Sequence, residues 1–246
     1  VVYFLINKMT KNIIKNKAQN LIFLRNKGFN VPKLTIFRCN DFIKRSDTII
    51  NKIQREYKSK VAIRSSAKNE DGSTYSNAGK YTSFVNINPK EKVLINKKII
   101  EVIKSYNDND NIFFIQSMVK NIELSGVVIT RDLNSYNPYF VINYHKGSDS
   151  TLVTSGRNKT NSIKYFPNKK YKINHKFKNL IKISLQLKKI YKSEIDIEFC
   201  INKSGRVFIL QVRKLNLPKN IVNKYMETDI FGKHLINLEK KIIKLK

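Results

Sequence analysis

The sequence predicts an α+β fold with a substantial antiparallel sheet. Three observations support this. The chain has 246 residues, enough for one large domain or two small lobes with an apolar core. Helical and strand-like segments are mixed along it without the strict alternation typical of parallel sheets. Residues 194–213 contain two alternating apolar runs around Ser204-Gly205, which is the pattern of an antiparallel hairpin.

The individual elements follow from hydrophobic periodicity and from turn residues. A helix is predicted over 17–27, with Ala18, Leu21 and Leu24 on one face and Gly28 as its stop. The polar stretch 67–80 is predicted to be a loop. Further helices are predicted over 41–58, 90–105, 176–191 and 233–246. Strands are predicted over 29–37, 61–66, 81–87, 112–119, 126–131 and 139–144, before the two strands of the hairpin.

The charge of the chain is strongly basic, with 48 Lys and Arg against 18 Asp and Glu and a net charge of +30. One interpretation is a polyanionic partner such as nucleic acid. The basic residues are spread along the whole chain, however, and no zinc-finger spacing or RNP-type strand accompanies them. We therefore favour compositional drift in an AT-rich genome, which enriches Lys, Asn and Ile together. Charge alone then predicts only non-specific, salt-sensitive binding to nucleic acid.

Cysteine usage and hydropathy predict a cytoplasmic protein. Cys39 and Cys200 are far apart and form no CxxC pair, so neither a disulfide framework nor a zinc site is expected. No apolar run reaches the roughly 18–20 residues that a membrane helix needs. The apolar start, Val1 to Ile6, is too short for the core of a signal peptide. The open alternatives are that Val1 or Met9 is the natural start, or that the sequence is a fragment of a longer one.

The hairpin fixes a register that can be tested. If Ser204-Gly205 is a two-residue turn, Lys203 pairs with Arg206, and paired residue numbers sum to 409. One face then carries the apolar residues Ile195, Ile197, Phe199, Ile201, Phe208, Leu210 and Val212. The other face carries Glu194, Asp196, Glu198, Gln211 and Arg213, with Glu198 opposite Gln211 and Asp196 opposite Arg213.

This polar face has two interpretations. It is either the solvated outer face of a half-buried sheet, which is the usual case, or a metal and phosphate site. Mg²⁺ prefers hard oxygen ligands, and Glu198 together with the side-chain oxygen of Gln211 offers two. The guanidinium of Arg213 beside them would hold a phosphate in a bidentate grip.

Six segments in order decide between the two interpretations. Together they span residues 17–215, and they read KAQNLIFLRNKGFNVPKLTIF (17–37), VAIRSSAKNED (61–71), SNAGKYTSFVNI (76–87), FIQSMV (114–119), SGVVITRD (125–132) and DIEFCINKSGRVFILQVRKL (196–215). This set resembles the nucleotide-binding region of the phosphoenolpyruvate synthase and pyruvate phosphate dikinase family. The resemblance implies an ATP-grasp fold, with Mg-ATP held between two lobes and a mostly antiparallel sheet.

The resemblance also implies roles for individual residues. Arg64 and Arg213 would be the catalytic residues, contacting phosphates, and Glu198 and Gln211 would hold Mg²⁺. The loop at Gly79-Lys80-Tyr81 would close over the phosphates. The implied ATP-binding set is Lys17, Arg64, Gly79, Lys80, Tyr81, Gln116, Met118, Val119, Asp196, Glu198, Gln211 and Arg213. Within it, Gln116, Met118 and Val119 would lie at the adenine end, in the strand that links the lobes.

The resemblance divides the chain into an N-terminal extension (1–16), a nucleotide-binding domain (17–215) and a basic helical tail (216–246) leading to absent downstream domains. Members of the family transfer phosphate to a carrier histidine, giving AMP overall. None of His145, His175 and His234 lies in a carrier context, so the partner would be a phosphohistidine domain of a longer chain or a separate subunit. The open alternatives are a dikinase with another acceptor, such as an antibiotic or glucan, and a non-catalytic nucleotide-sensing module.

The sequence departs from the family pattern at three places. Lys214 and Leu133 stand where the family usually has proline, and residues 142–156 lack the glycine-rich GLGE run of synthases. These departures predict a divergent member, in which catalytic competence is less assured than the fold.

Overall fold

The computed structural model of the chain describes residues 16–67, 81–106, 110–147, 161–167 and 173–218. Five helices and nine strands are found there. The helices are α1 (Lys17–Asn26), α2 (Cys39–Lys44), α3 (Ser46–Glu56), α4 (Lys92–Lys104) and α5 (His175–Tyr191). The strands are β1 (Leu34–Arg38), β2 (Val61–Ser66), β3 (Phe84–Ile87), β4 (Ile112–Ser117), β5 (Ile122–Ile129), β6 (Phe140–Lys146), β7 (Asn161–Tyr165), β8 (Ile195–Asn202) and β9 (Val207–Lys214).

These elements confirm most of the predicted segments, with shifted ends. The segment 41–58 is two helices, because the chain bends at Arg45 between α2 and α3. Helix α1 ends as predicted: Gly28 has φ +85°, and the Phe29 N–H donates to the Leu24 carbonyl, a C-terminal cap that favours glycine. The loop predicted over 67–80 lies almost wholly outside the described residues, and the helix predicted over 233–246 lies wholly outside them.

Two antiparallel sheets organise the described fold and confirm its α+β class. The first sheet has the strand order β1-β4-β2-β3, and the second has β7-β6-β5-β8-β9. The chain passes from the first sheet to the second between β4 and β5, so residues 118–121 connect the two. Each sheet has its own apolar core, and helices cover one face of each.

The two cores differ in what packs on them. Helices α2, α3 and α4 bury Phe42, Ile53 and Ile99 against the first sheet, around Phe113 and Ile115 of β4. The second core lies between β5, β6, β8 and β9 and the apolar stripe of α5. Helix α1 joins this second core, together with residues of β1 and β4. Helix α1 therefore bridges the two sheets. Its first residue is Lys17, one of the predicted site residues.

The hairpin has the predicted register at its polar end and a different one near its turn. Asp196 pairs with Arg213 and Glu198 pairs with Gln211, as predicted. Towards the turn the pairs shift by one residue, so that Phe199 lies opposite Ile209. The turn is not the predicted two-residue one: Asn202 and Arg206 are bonded across a three-residue loop, in which Gly205 has φ +75°.

The register shift is a β-bulge, in which Leu210 is the extra residue of β9 between the pairs formed by Ile209 and Gln211. It corrects the prediction that Phe208 and Leu210 belong to the core. Both are only partly buried, while Val207 and Ile209 are buried in the core with Val212. The physical reason is that the bulge and the three-residue turn each add one residue, which shifts by one the positions of β9 that face the core.

Two further predictions concern features of the whole chain. In the described ranges, no helix combines the length and the apolar character that crossing a bilayer would require. Cys39 and Cys200 are both buried and unbridged.

Candidate functional site

The polar face of the hairpin is half-buried. The side chains of Asp196 and Glu198 on β8 are 14% and 17% exposed, and that of Arg213 on β9 is 24% exposed. Gln211, between them, is buried. A solvated outer face would leave these groups in water, so the burial disfavours that interpretation and requires partners for each charge.

Asp196 and Arg213 form a closed pair within the second sheet. The Arg213 Nη2 donates to one Asp196 oxygen at 2.8 Å, and Nε lies 3.1 Å from both oxygens. Burial raises the pKa of Asp196, the guanidinium opposes this, and the neighbouring Glu198 carboxylate adds to the rise. The face therefore concentrates more negative charge than its burial favours, and a further cation would relieve this.

Arg64 of β2 brings the first sheet to this face. Its Nη1 lies 3.7 Å from the Glu198 carboxylate, and both side chains are 17% exposed. Its strand pairs it with Phe114, and the residue two positions on is Ser66, at the end of β2. The contact therefore joins β2 of the first sheet to β8 of the second.

The start of α1 is fastened to the same end of β2. The Ser66 hydroxyl accepts a hydrogen bond from the Ala18 N–H at 3.1 Å and donates to the Asn16 side chain at 3.1 Å. The Asn16 side chain also accepts from the Gln19 N–H and thereby caps the helix. Lys17, half-buried in the first turn, is thus held near the strand end that carries Arg64.

Tyr81 also lies beside this strand end. Its ring packs on that of Tyr106 at 5.4 Å between centroids, and the Tyr106 hydroxyl accepts a hydrogen bond from the Ser66 N–H at 2.9 Å. Gly79 and Lys80, which precede Tyr81 in the predicted phosphate loop, lie outside the described residues.

The predicted adenine-end residues are found on and after β4. Gln116 is buried and pairs with Leu34 and Ala62 on the two neighbouring strands. Met118 and Val119 are half-buried in the connection between the sheets, and the Met118 N–H donates to the Lys60 carbonyl. These residues therefore lie on the last strand of the first sheet and in the connection to the second, and their role at the adenine end stays a prediction.

Three buried donors of this set have no hydrogen-bond partner within the described part of the chain. They are the Arg64 Nε and the side-chain nitrogens of Gln116 and Gln211. An unpaired buried donor costs roughly 1–3 kcal/mol, so a ligand that supplied an acceptor to any of these three would gain free energy of binding. Nucleotides, with phosphate and ring acceptors, are such molecules.

The residues also fit Mg²⁺. No group of three His, Cys, Asp or Glu side chains that could hold a metal exists in the ranges described. Mg²⁺ does not require one, because it is commonly bound through one or two carboxylates together with substrate phosphates. Glu198 offers a carboxylate that makes no hydrogen bond in its contact with Arg64, and Gln211 beside it would contribute its side-chain oxygen.

A second polar cluster, for which the sequence assigned no role, holds the start of β8. The buried Thr130 hydroxyl accepts a hydrogen bond from the Ile195 N–H at 2.8 Å and donates to Glu194 at 2.8 Å. Glu194 also binds Arg131 at 3.0 Å and Lys188 at 2.8 Å. Thr130 and Arg131 belong to the TRD segment of the resemblance. That match is the sequence feature from which this cluster could have been predicted. Glu194 therefore belongs to this cluster and is not an open member of the polar face. We call the cluster of Thr130, Arg131, Lys188 and Glu194 the clamp.

Cys200 and His145 lie on the strands beside the site. Burial raises the pKa of Cys200 to about 12, which makes it a packing residue and a poor nucleophile. His145 is buried, with Nε2 3.2 Å from the Ser125 hydroxyl. His175 is exposed at the start of α5, and His234 lies outside the described ranges.

Comparison with known proteins identifies the family. Residues 40–115 and 142–230, about two thirds of the chain, match the family described as pyruvate phosphate dikinase, AMP/ATP-binding domain. The matched ranges include Arg64, Tyr81 and the whole hairpin, but not Lys17 or residues 116–119. No curated protein matches the sequence.

Solved structures agree with this at the level of the fold. The D-alanine-D-alanine ligase from Coxiella burnetii superposes with a TM-score of 0.52 at 10% identity, covering 97% of this chain and 64% of that one. The VanG D-Ala:D-Ser ligase from Enterococcus faecalis gives 0.50 at 12% identity, covering 84% and 54%. This chain therefore spans a little over half to almost two thirds of these structures.

Both ligases are ATP-grasp proteins, and the two-sheet architecture described above is the same fold. The family match and the fold agree. The chain belongs to the family of pyruvate phosphate dikinase AMP/ATP-binding domains.

Proposed function

We propose that the chain is the ATP-binding domain of a phosphoenolpyruvate synthase-like dikinase, and that it transfers phosphate from Mg-ATP to a histidine carried elsewhere. The observation that supports this most is the convergence of Arg64 from one sheet with Glu198, Gln211 and Arg213 from the other. Cationic, carboxylate and amide groups meet there beside unpaired buried donors.

The proposed roles follow from the chemistry of each group. Arg64 and Arg213 would neutralise negative charge on the phosphates, because positioning and charge neutralisation are most of what phosphoryl transfer requires. Glu198 and the side-chain oxygen of Gln211 would hold Mg²⁺, which when bound would supply further neutralisation of phosphate charge. Lys17 and Tyr81, fastened near the end of β2, would contact the same phosphates, together with Gly79 and Lys80. Asp196 would complete the metal and phosphate site by holding Arg213 in place.

The base would lie at the other end of the site. Gln116 presents an unpaired amide nitrogen, and Met118 and Val119 follow it as half-buried apolar residues. An adenine ring offers an apolar face and ring-nitrogen acceptors, which match this combination. In the transfer itself, a histidine nitrogen forms a bond to the β-phosphorus of ATP while the P–O bond between that phosphorus and the bridging α,β-oxygen breaks. AMP leaves with the electron pair on that oxygen, and the histidine carries a pyrophosphoryl group, from which water then releases inorganic phosphate.

The first test is calorimetric titration of Mg-ATP into the whole chain at physiological salt. We expect magnesium-dependent binding, lost in Glu198→Gln and retained in Glu101→Gln, a matched control that removes a carboxylate from an ion pair on α4. Charge-assisted phosphate contacts contribute roughly 1.5–3 kcal/mol each. Arg213→Gln should therefore weaken binding by at least tenfold. Equal affinity of the wild type and both Glu198→Gln and Arg213→Gln would reject the site.

A second test addresses the transfer. A histidine-bearing carrier domain of the same family, supplied as a separate polypeptide with Mg-ATP, should acquire acid-labile phosphate, and AMP should accumulate. Binding of Mg-ATP without any labelled carrier would favour the nucleotide-sensing alternative.

A further inference from the structure

We propose that Arg64 occupies the metal-binding side of Glu198 in the absence of nucleotide, so that the divalent cation binds well only together with ATP. The inference rests on the proposed function, because it concerns the same carboxylate. It adds a competition between an arginine of the first sheet and the metal, and hence an order of binding.

The two arginine–carboxylate pairs of the site differ in a way that supports this. Arg213 and Asp196, both in the second sheet, make three hydrogen bonds of 2.8–3.1 Å. Arg64 and Glu198 come from different sheets and approach only to 3.7 Å, outside the 2.7–3.2 Å range of N–H···O hydrogen bonds. Asp196 is thus saturated by its partner, whereas Glu198 is held by charge alone.

Arg64 is also incompletely used in this position. Its Nε is buried and makes no hydrogen bond to the residues described. A phosphate group brought to it would satisfy that donor and accept a second bond, a better arrangement than the long contact with Glu198. Arrival of phosphate therefore draws Arg64 away and leaves the Glu198 carboxylate open to the metal.

The competition predicts opposite effects of one substitution on two ligands. With Arg64 in place, a positive charge beside Glu198 repels a free divalent cation, and both side chains are only 17% exposed, so solvent screens this repulsion incompletely. Arg64→Gln should raise the affinity for the metal alone by about tenfold. The same substitution should lower the affinity for the metal–ATP complex, because a phosphate partner is lost.

The test measures Mn²⁺ binding to the whole chain by electron paramagnetic resonance, with and without ATP. Arg206→Gln is the control for lost net charge, because Arg206 is exposed in the hairpin turn. The double variant Arg64→Gln/Glu198→Gln should lose the gain in affinity for the metal alone, and Arg64→Lys should show little gain. Arg64→Met, of similar length, serves if the glutamine variant does not fold.

The outcomes separate this inference from the proposed function. Tighter binding of Mn²⁺ alone in Arg64→Gln, dependent on Glu198 and absent in Arg206→Gln, supports the competition. Unchanged or weaker binding of Mn²⁺ alone overturns it, even if Mn-ATP binds to the wild type. Failure of the wild type to bind Mn-ATP rejects the proposed function, while the comparison with metal alone still decides whether Arg64 blocks Glu198.

Discussion

Replacing Thr130 by valine should destabilise the second sheet at the point where β8 begins. The hydroxyl of this fully buried residue accepts the Ile195 N–H at 2.8 Å and donates to the Glu194 carboxylate at 2.8 Å. Valine has nearly the same shape and makes neither bond. The substitution therefore tests the hydrogen bonds of the clamp with little change in packing.

The magnitude follows from the two groups left without a partner. Ile195 is completely buried, so its N–H cannot turn to water, and an unsatisfied buried donor costs roughly 1–3 kcal/mol. Glu194 loses one donor but keeps Arg131 and Lys188, which limits that contribution to about 1 kcal/mol. We expect the free energy of unfolding to fall by about 2–4 kcal/mol.

Urea denaturation followed by far-ultraviolet circular dichroism would measure this, since the chain has no tryptophan. Thr130→Ser is the matched control: it keeps the hydroxyl and removes one methyl group, at a cost of roughly 1 kcal/mol. The reasoning is refuted if the valine variant unfolds within about 0.5 kcal/mol of the wild type, or if serine proves the more damaging replacement.

Three further outcomes are expected. Gly126→Ala should lower the free energy of unfolding by at least ~2 kcal/mol in urea, because a methyl group there would overlap the backbone of β6; a neutral result would contradict the close strand contact. Hydrogen bonds, of which the one from Lys164 has the largest effect, hold the pKa of Asp132 below its ordinary value. This carboxylate therefore stabilises the fold at pH values above its ordinary pKa, and the stabilisation is lost as the pH falls through its folded pKa. Asp132→Asn should therefore cost about 1 kcal/mol in urea melts at pH 7, and this cost should shrink as the pH is lowered through the acid range; a cost that does not change with pH would refute this. Cys39 and Cys200, both buried, should resist a thiol reagent at pH 8 until denaturant is added; prompt reaction of the native chain would show that they are accessible.

Local pattern predicted the parts of this fold that depend on local chemistry. Alternation in β8, the cap at Gly28 and the pairs of Asp196 with Arg213 and of Glu198 with Gln211 were all readable from the sequence. They depend on side-chain period and on backbone preferences, which a single strand or helix end already expresses. The grouping of polar residues on one hairpin face followed from the same period.

The remainder depended on contacts between distant segments. The ion pair between Arg64 and Glu198 joins residues 134 positions apart in the sequence, and nothing near either residue specifies it. The partners of Glu194 likewise come from the turn after β5 and from α5, so its alternation in the hairpin indicated an open face while the fold assigns it to the clamp. The bulge at Leu210 was missed because an apolar residue satisfies the alternating pattern whether or not it is paired.

The two irregularities of the hairpin have a consequence for how its length can vary among related proteins. Both the three-residue turn and the bulge at Leu210 contain a residue outside the regular pairing. Losing either residue would leave Asp196 opposite Arg213 and Glu198 opposite Gln211, whereas losing one from 196–198 or 211–213 would move a charge to the apolar side. Insertions and deletions in relatives should therefore fall at the turn and at position 210, and be absent from the segments on which the carboxylates and their partners lie.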